Sequence, residues 1–435
     1  MLYCKLQYSP SISGVMSGVI VKMGIYGILR MVLYLRNDLV IIGETILIVS
    51  VFTAFYGILN AAIHRDFKKL LAYCTVENIG IIGMGIGIVI IGKGLGNTVR
   101  EFIGFAGALL HVLNHSLYKS LLFFSAGNVY IQTHTRNMEQ LGGIIKTMPR
   151  TAFFYLCGSL AICGFPPFNG FISEFLIYSG LIEGIQLENI QFSSLMIICI
   201  SFLALIGGIS LLTFTKSFGN IFLGVPRNEI IHQPKEVSRF MLVPLAVILI
   251  LMVAIGIFPG LLLAPLSQII TLFNPEIIPV ARLSEMFTLL SDIGIASLSL
   301  FVLSAVIFIW KKKSEKAVPV TVGPTWGCAY PAPNTRMQYT SKSYSRSLLK
   351  LFSFLTLEKK KYREIDPSNI FPKGRSFQSY FLDFFEVKII QRIIKLLLRY
   401  TEYFSFIHNG KIQLYILYGV FFILSLIVIT FFHIF

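Results

Sequence analysis

Long apolar runs recur along the chain, and each can cross a lipid bilayer. Nine are read, at 11–35, 41–63, 67–91, 101–130, 150–182, 193–215, 239–262, 287–310 and 411–435. A hydrocarbon layer of about 30 Å needs about 20 helical residues. Lipid offers no partner to backbone polar groups, so such runs close their hydrogen bonds internally, as helices. Apolar types make up 55% of the chain and charged types only 13%, with a mean hydropathy of +0.75. A soluble domain carries about 25% charged residues. The sequence therefore predicts an all-α fold, a polytopic transmembrane helical bundle of about nine crossings, and excludes a pair of soluble domains.

The fifth run contains CGFPPFNGFISEF. Pro166 and Pro167 lack a backbone N–H, and Gly164 and Gly170 loosen the backbone, so a broken helix is expected there. Irregular backbone at membrane depth survives only inside protein or beside water; a short turn outside the membrane is the other reading. Residues 1–262 form the main membrane domain, and 263–310 add a further transmembrane helix region, with a surface helix as an option over 263–290. Residues 311–378 read as an irregular basic connector, rich in Pro and Gly. Over 379–405, Lys388, Arg392, Lys395 and Arg399 share one face, while Ile389, Ile390, Ile393, Ile394, Leu396 and Leu397 fill most of the rest. That pattern predicts an amphipathic helix for the membrane interface or a partner's flank. Residues 411–435 form the last crossing.

The net charge is +16, and 19 Lys/Arg against 7 Asp/Glu between Lys311 and Lys411 supply +12 of it. Concentration in one connector points to anionic headgroups rather than nucleic acid. One set of connectors carries Arg65, Lys68, Lys69, Arg136, Lys146, Arg150, Lys216, Arg227, Lys235 and Arg239. The other carries Arg30, Arg36, Lys93, Arg100 and Arg282. The bias places the first set, and the N-terminus, in the cytoplasm and the C-terminus outside a cell inner membrane. The start lacks the pattern of a signal peptide and runs directly into the first span. Cys4, Cys74, Cys157, Cys163, Cys199 and Cys328 form no CxxC pair, so buried inert thiols are expected.

Against this background, ionisable residues inside the spans stand out. A charge at the bilayer centre costs roughly 2.5–3.5 kcal/mol or more, so a chain that keeps several is expected to use them. Residues 111–128 read HVLNHSLYKSLLFFSAGN; His111, His115 and Lys119 fall at i, i+4 and i+8, on one helical stripe. Lys22 lies near mid-depth, beyond the reach of a snorkelling stem. Glu77 sits more than two turns past Lys68 and Lys69, and Glu174 one turn past the break. Blander roles exist: Lys68 and Lys69 can anchor a helix end, Glu44 can sit at the interface, and a single histidine can be a satisfied core group. Two histidines four apart can also share a zinc or copper ion, but no carboxylate or cysteine completes a set nearby, so no metal is expected. Taken together, Lys22, Glu77, His111, His115, Lys119 and Glu174 come from different helices at similar depth. They predict a horizontal proton relay with half-channels to either side. No cysteine cluster for an iron–sulfur group and no strand-to-helix GxGxxG is present, so no redox cofactor is expected; the glycines of GMGIGIVIIGKGLG read as helix packing.

Four stretches, VMSGVIVKMGIYGILR, HRDFKKLLAYCTVENIG, HVLNHSLYKSLLFFSAGNV and CGFPPFNGFISEFLIY, together resemble the antiporter-like membrane subunits shared by complex I, Mrp-type cation/proton antiporters and energy-converting hydrogenases. A further stretch, GPTWGCAYPAPNTRMQYTSKSYS, is similar to the hydrophilic segment of the hydrogenase-4 component B and formate hydrogenlyase branch. The resemblance implies that Lys22 matches the lysine after the family's first broken helix. It also implies that Lys68, His115 and Lys119 match the central relay, Glu174 the charged residue of the second broken helix, and 379–405 a lateral helix. The function implied is translocation of protons (or sodium), coupled to electron transfer in partners of nickel–iron hydrogenase or quinone-reductase type. The chain itself would be a non-catalytic subunit. An independent Mrp-type cation/proton antiporter subunit and a non-conducting scaffold for a peripheral hydrogenase are the alternatives. Members of this family are built from two inverted repeats, and the sequence begins just before the last helix of the first. The expectation is that the N-terminal half is a separate chain, is missing from a truncated gene model, or has been lost.

Overall fold

A computed structural model describes residues 10–186, 190–226, 233–274, 280–315, 335, 337–363, 376–404 and 410–432. The chain divides into two compact units, Met1–Leu351 and Phe352–Phe435.

In the first unit, α1 (Pro10–Val15) passes through a π-helical turn (Met16–Ile20) into α2 (Lys22–Tyr34). Then follow α3 (Leu39–Ile63), α4 (Phe67–Gly94), α5 (Thr98–Thr133), α6 (Pro149–Ile162) and α7 (Asn169–Glu183). After them come α8 (Ile190–Phe222), α9 (Arg239–Ile257), α10 (Gly260–Phe273), α11 (Val280–Glu315) and α12 (Ser341–Leu351). Among the described residues, seven helices are long and apolar enough to cross a membrane: Ile12–Tyr34, α3, α4, α8, α9, Thr288–Glu315 and Ile412–Phe431. An expected count of nine further requires α5 and the α6–α7 pair. α5 carries Arg100, Glu101 and Lys119 in its 36 residues. α6 has 14 residues, which reach about 21 Å, so it spans only together with α7.

α4 and α5 form the centre. The Asp66 carboxylate caps α4, accepting from the backbone N–H of Lys68 at 2.8 Å and Lys69 at 3.1 Å. Asn97 caps α5 in the same way, accepting from Arg100 N–H at 3.0 Å. Glycines let the helices approach where lipid supplies no hydrophobic drive. A Cβ on Gly80 would lie 2.5 Å from Ala54 N and 2.6 Å from Ser50 O of α3. One on Gly85 would lie 2.9 Å from the Ala108 Cβ of α5. The apolar core joins Ile82, Ile86 and Val89 of α4 to Phe102 and Phe105 of α5, Ile172 of α7 and Ile270 of α10.

Several basic residues assigned to connectors lie inside helices, among them Arg100 and Lys216. Arg100 is buried in the first turn of α5 and donates from Nη2 to the Glu183 carbonyl at 2.9 Å, tying α5 to the end of α7. Lys216 is buried in α8, which continues seven residues past the end of its expected run.

The expected broken helix is present. α6 stops at Ile162, Gly164 adopts φ +67°, the Pro166–Pro167 bond is cis, and α7 starts at Asn169. A Cβ on Gly170 would collide with the Ala161 carbonyl oxygen, so the first turn of α7 lies against the last turn of α6.

The connector expected to be irregular contains order. Gln338 donates from Nε2 to Val225 O at 2.6 Å and accepts from Val225 N at 3.2 Å, and α12 follows. In the second unit, β1 (Leu357–Arg363) pairs antiparallel with β2 (Ser376–Leu382), Leu357 opposite Leu382. The alternation in SFQSYFL suits a strand, so the helical part of 379–405 starts later. It comprises a π turn (Glu386–Ile390) and α13 (Gln391–Tyr403), followed by α14 (Ile412–Phe431). The fold therefore departs from purely α by one hairpin. Cys4, Cys328 and most of the Pro/Gly-rich stretch lie outside the described residues.

Candidate functional site

The site is built on α5, whose residues His111, Asn114, His115, Tyr118 and Lys119 recur at steps of three, one, three and one. Such steps keep them along one flank of the helix. All five are buried. The flank meets three neighbours: the π turn and α2, then α4, then the broken α6–α7 pair.

Lys22 stands where the π turn passes into α2. The i→i+5 pattern there takes carbonyls off the regular ladder, and Lys22 Nζ donates to Ser17 O at 3.0 Å. Lys22 Nζ is also hydrogen-bonded to His115 Nδ1. Ser17 Oγ in turn pairs with Thr75 Oγ1 of α4. The approach depends on Gly14 and Gly18, four apart: a Cβ on Gly18 would lie 2.9 Å from Ser120 Oγ, and Ser116 Oγ donates to Gly18 O at 2.6 Å.

His111 faces the opposite way. Its Nε2 is 3.1 Å from Asn78 Oδ1 and its Nδ1 is 2.9 Å from Ser173 Oγ. Asn78 Nδ2 donates to Cys74 O at 2.7 Å, which fixes Oδ1 as the atom that meets His111. Tyr118 O–H donates to the same Oδ1 at 2.6 Å. An amide oxygen can only accept, so His111 Nε2 carries a proton. Ser173 Oγ receives Asn114 Nδ2 at 3.0 Å and lies 3.0 Å from Gly170 O. Its single hydrogen can go to Gly170 O or to His111 Nδ1. A neutral His111 accepts it; an imidazolium donates instead and turns it onto Gly170 O, in the first turn of α7. Asn114 and Asn169 complete this contact through Asn114 Nδ2 to Asn169 O at 2.7 Å and Asn169 Nδ2 to Asn114 Oδ1 at 3.0 Å.

Lys119 Nζ donates to Leu71 O of α4 at 2.9 Å and is within Coulombic range of Glu77. Glu77 is buried, beside Cys74 and Ser210 and within Coulombic range of Glu174. Ser210 Oγ of α8 is 3.9 Å from Cys163 Sγ, at the end of α6. Glu174 is half-buried, with its carboxylate over Gly164: a Cβ there would lie 2.7 Å from Glu174 Oε2. The break thus leaves space for a carboxylate that an unbroken helix would fill.

Residues 6–207 match the family described as NADH:quinone oxidoreductase/Mrp antiporter, TM. This segment is therefore similar to antiporter-type membrane domains. The chain is similar to hydrogenase-4 component B of Escherichia coli (strain K12), 30% identical over 425 residues, covering 94% of this chain and 62% of that protein. It is also similar to formate hydrogenlyase subunit 3 of the same strain, 32% identical over 323 residues, covering 74% of this chain and 52% of the relative. The chain thus spans between half and two thirds of the length of these relatives. In fold it resembles a chain of the membrane-bound sulfane sulfur reductase, an archaeal respiratory membrane complex, with TM-score 0.65, 21% identity, 96% coverage of this chain and 63% of that one. The chain is a multi-pass membrane protein of the type found in membrane-bound complexes.

The fold of the first unit brings Lys22, His111, His115, Lys119, Glu77 and Glu174 close together. Lys68 belongs to a different set of contacts. Its Nζ lies 5.4 Å from the centre of the Tyr130 ring, and Arg136 and Asp66 are its charged neighbours. Arg136 Nε in turn is 3.6 Å from Asp66 Oδ2. Near this end of the domain, Lys216 Nζ donates to Ala62 O and to His64 O at 3.0 Å, at the C-terminal end of α3. A cation there meets helix carbonyls that have no intrahelical partner. Sequence reasoning missed Lys216 and also the neutral members Asn78, Asn114, Tyr118 and Ser173. The signal for Asn114 and Tyr118 was available, since both lie on the stripe of His111 and His115.

Proposed function

We propose that this chain is an ion-translocating membrane subunit of a hydrogenase-4-like or complex I-like assembly. It moves protons, or sodium, in response to electron transfer in partners of nickel–iron hydrogenase or quinone-reductase type, in a cell inner membrane with the N-terminus cytoplasmic and the C-terminus outside. It holds no redox cofactor. The proton path runs from Lys22 through His115 to Lys119 and Glu77, then past Ser210 and Cys163 to Glu174. His111, Asn78, Tyr118 and Ser173 form a side branch to the break.

The reading rests above all on the Lys22–His115 hydrogen bond, between residues 93 apart in sequence. Two groups that both bind a proton share one inside the span region, where an uncompensated charge is costly. Lys68, further from this line, is proposed as a proton-loading group at the α4 terminus.

The test is redox-driven acidification in proteoliposomes holding the whole complex. Lys119→Ala and Glu174→Gln abolish proton movement while the complex assembles and its redox chemistry persists. Undiminished pumping by either variant identifies a scaffold instead. Cation/proton exchange by the chain alone, without redox partners, identifies an Mrp-type antiporter subunit.

A further inference from the structure

We infer that an anionic phospholipid binds in the crevice between α6 and α9. The crevice has a volume of about 440 Å³. Phe153, Phe154, Leu242 and Val243 line it, and Arg150 and Arg239 stand at one end. Arg150 is in the first turn of α6 and Arg239 is the first residue of α9, so the charged end coincides with the ends of both helices.

Charge favours a phosphate there. Among the described residues, neither guanidinium belongs to an ion pair. The nearby acid, Glu236, is occupied with capping α6. Its Oε2 accepts from Arg150 N at 2.9 Å and Thr151 N at 3.3 Å, and its Oε1 from Thr151 Oγ1 at 2.6 Å. A guanidinium presents a planar fork that matches phosphate oxygens, and two bracket one headgroup. Basic pockets between membrane helices hold anionic headgroups in this way.

The rest of the crevice selects a lipid over a free anion. Its aromatic and aliphatic walls suit an acyl chain, whereas inorganic phosphate would use only the arginine end. The occupant would also join the two helices that flank the break. α6 leads into it, and α9 packs on it at Gly256, where a Cβ would collide with the Pro167 carbonyl oxygen. This inference depends on the membrane location of the chain and not on proton translocation.

The test is native mass spectrometry of the intact complex exchanged into mixed micelles of phosphatidylglycerol and phosphatidylcholine. Phosphatidylglycerol is retained preferentially. The Arg150→Gln/Arg239→Gln pair, which keeps much of each stem, lowers that retention by about tenfold or more. Lys146→Ala, an exposed cation on the same connector, does not. Val243→Trp, which fills the apolar part while leaving both arginines, lowers retention as well. Retention unchanged in the arginine pair overturns the site. Equal loss in Lys146→Ala reduces it to general surface charge, and displacement by inorganic phosphate, or full retention in Val243→Trp, reduces it to an anion site without an acyl chain. Each of these results contradicts the inference.

Discussion

The Ser173 hydroxyl hydrogen has two acceptors within reach, and the protonation state of His111 decides between them. Because Gly170 O lies in the first turn of α7, this hydroxyl connects the α5 stripe to the helix that carries Glu174. Ser173→Ala removes that connection and the acceptor that Asn114 Nδ2 uses, so proton movement slows about tenfold with assembly intact. Single-turnover acidification measures this; an unchanged rate makes the branch structural. Lys216 acts on stability instead. Lys216→Met leaves carbonyls at the end of α3 without their donor and lowers unfolding stability by about 1–3 kcal/mol, read as a lower Tm of the purified chain. The ionisable residues were legible in the sequence because charge is rare in apolar runs. Asn78, Tyr118 and Ser173 were not, since neutral polar residues are common in membrane helices, and only the fold says which of them meet. Lys216 was misread because it follows an apolar run, where a cation ordinarily marks the membrane surface.

At the level of elements, close helix contact places the site. α3 and α4 touch at Gly57, where a Cβ would collide with Glu77 N, and at Gly80, so the position of Glu77 depends on this contact. Gly80→Val therefore forces the helices apart and costs about 1–3 kcal/mol. Gly207→Val in α8, where no atom lies within 4 Å of the added Cβ, does not carry that cost. Thermal unfolding in detergent compares the two, and equal losses would show that glycine flexibility, rather than contact, matters. Hydrophobic runs predicted where most helices lie, and Pro166 and Pro167 located the break, because both signals are local. The β hairpin was hidden by the basic residues of LEKKKYR, which resemble a solvated connector. The π turn at Met16–Ile20 was hidden too, since no residue pattern in it differs from an ordinary helix.

At the scale of the whole molecule, the spans differ widely in burial. The apolar window of α4 is 83% buried, whereas that of Thr288–Glu315 is 11% and that of Ile412–Phe431 is 0%. α13 of the second unit also buries no residue, and its basic and apolar faces suit a membrane interface. The proposed relay groups lie on the well-covered helices of the first unit, with Glu174 half-buried. The central claim is that Lys22 and Glu174 lie on one serial path. Lys22→Met and Glu174→Gln, alone and together, test it in the reconstituted complex by redox-driven proton uptake. On a serial path each single variant reduces uptake to the leak rate and the double variant reduces it no further. Normal uptake in either single variant, or partial losses that add in the double, would contradict the account.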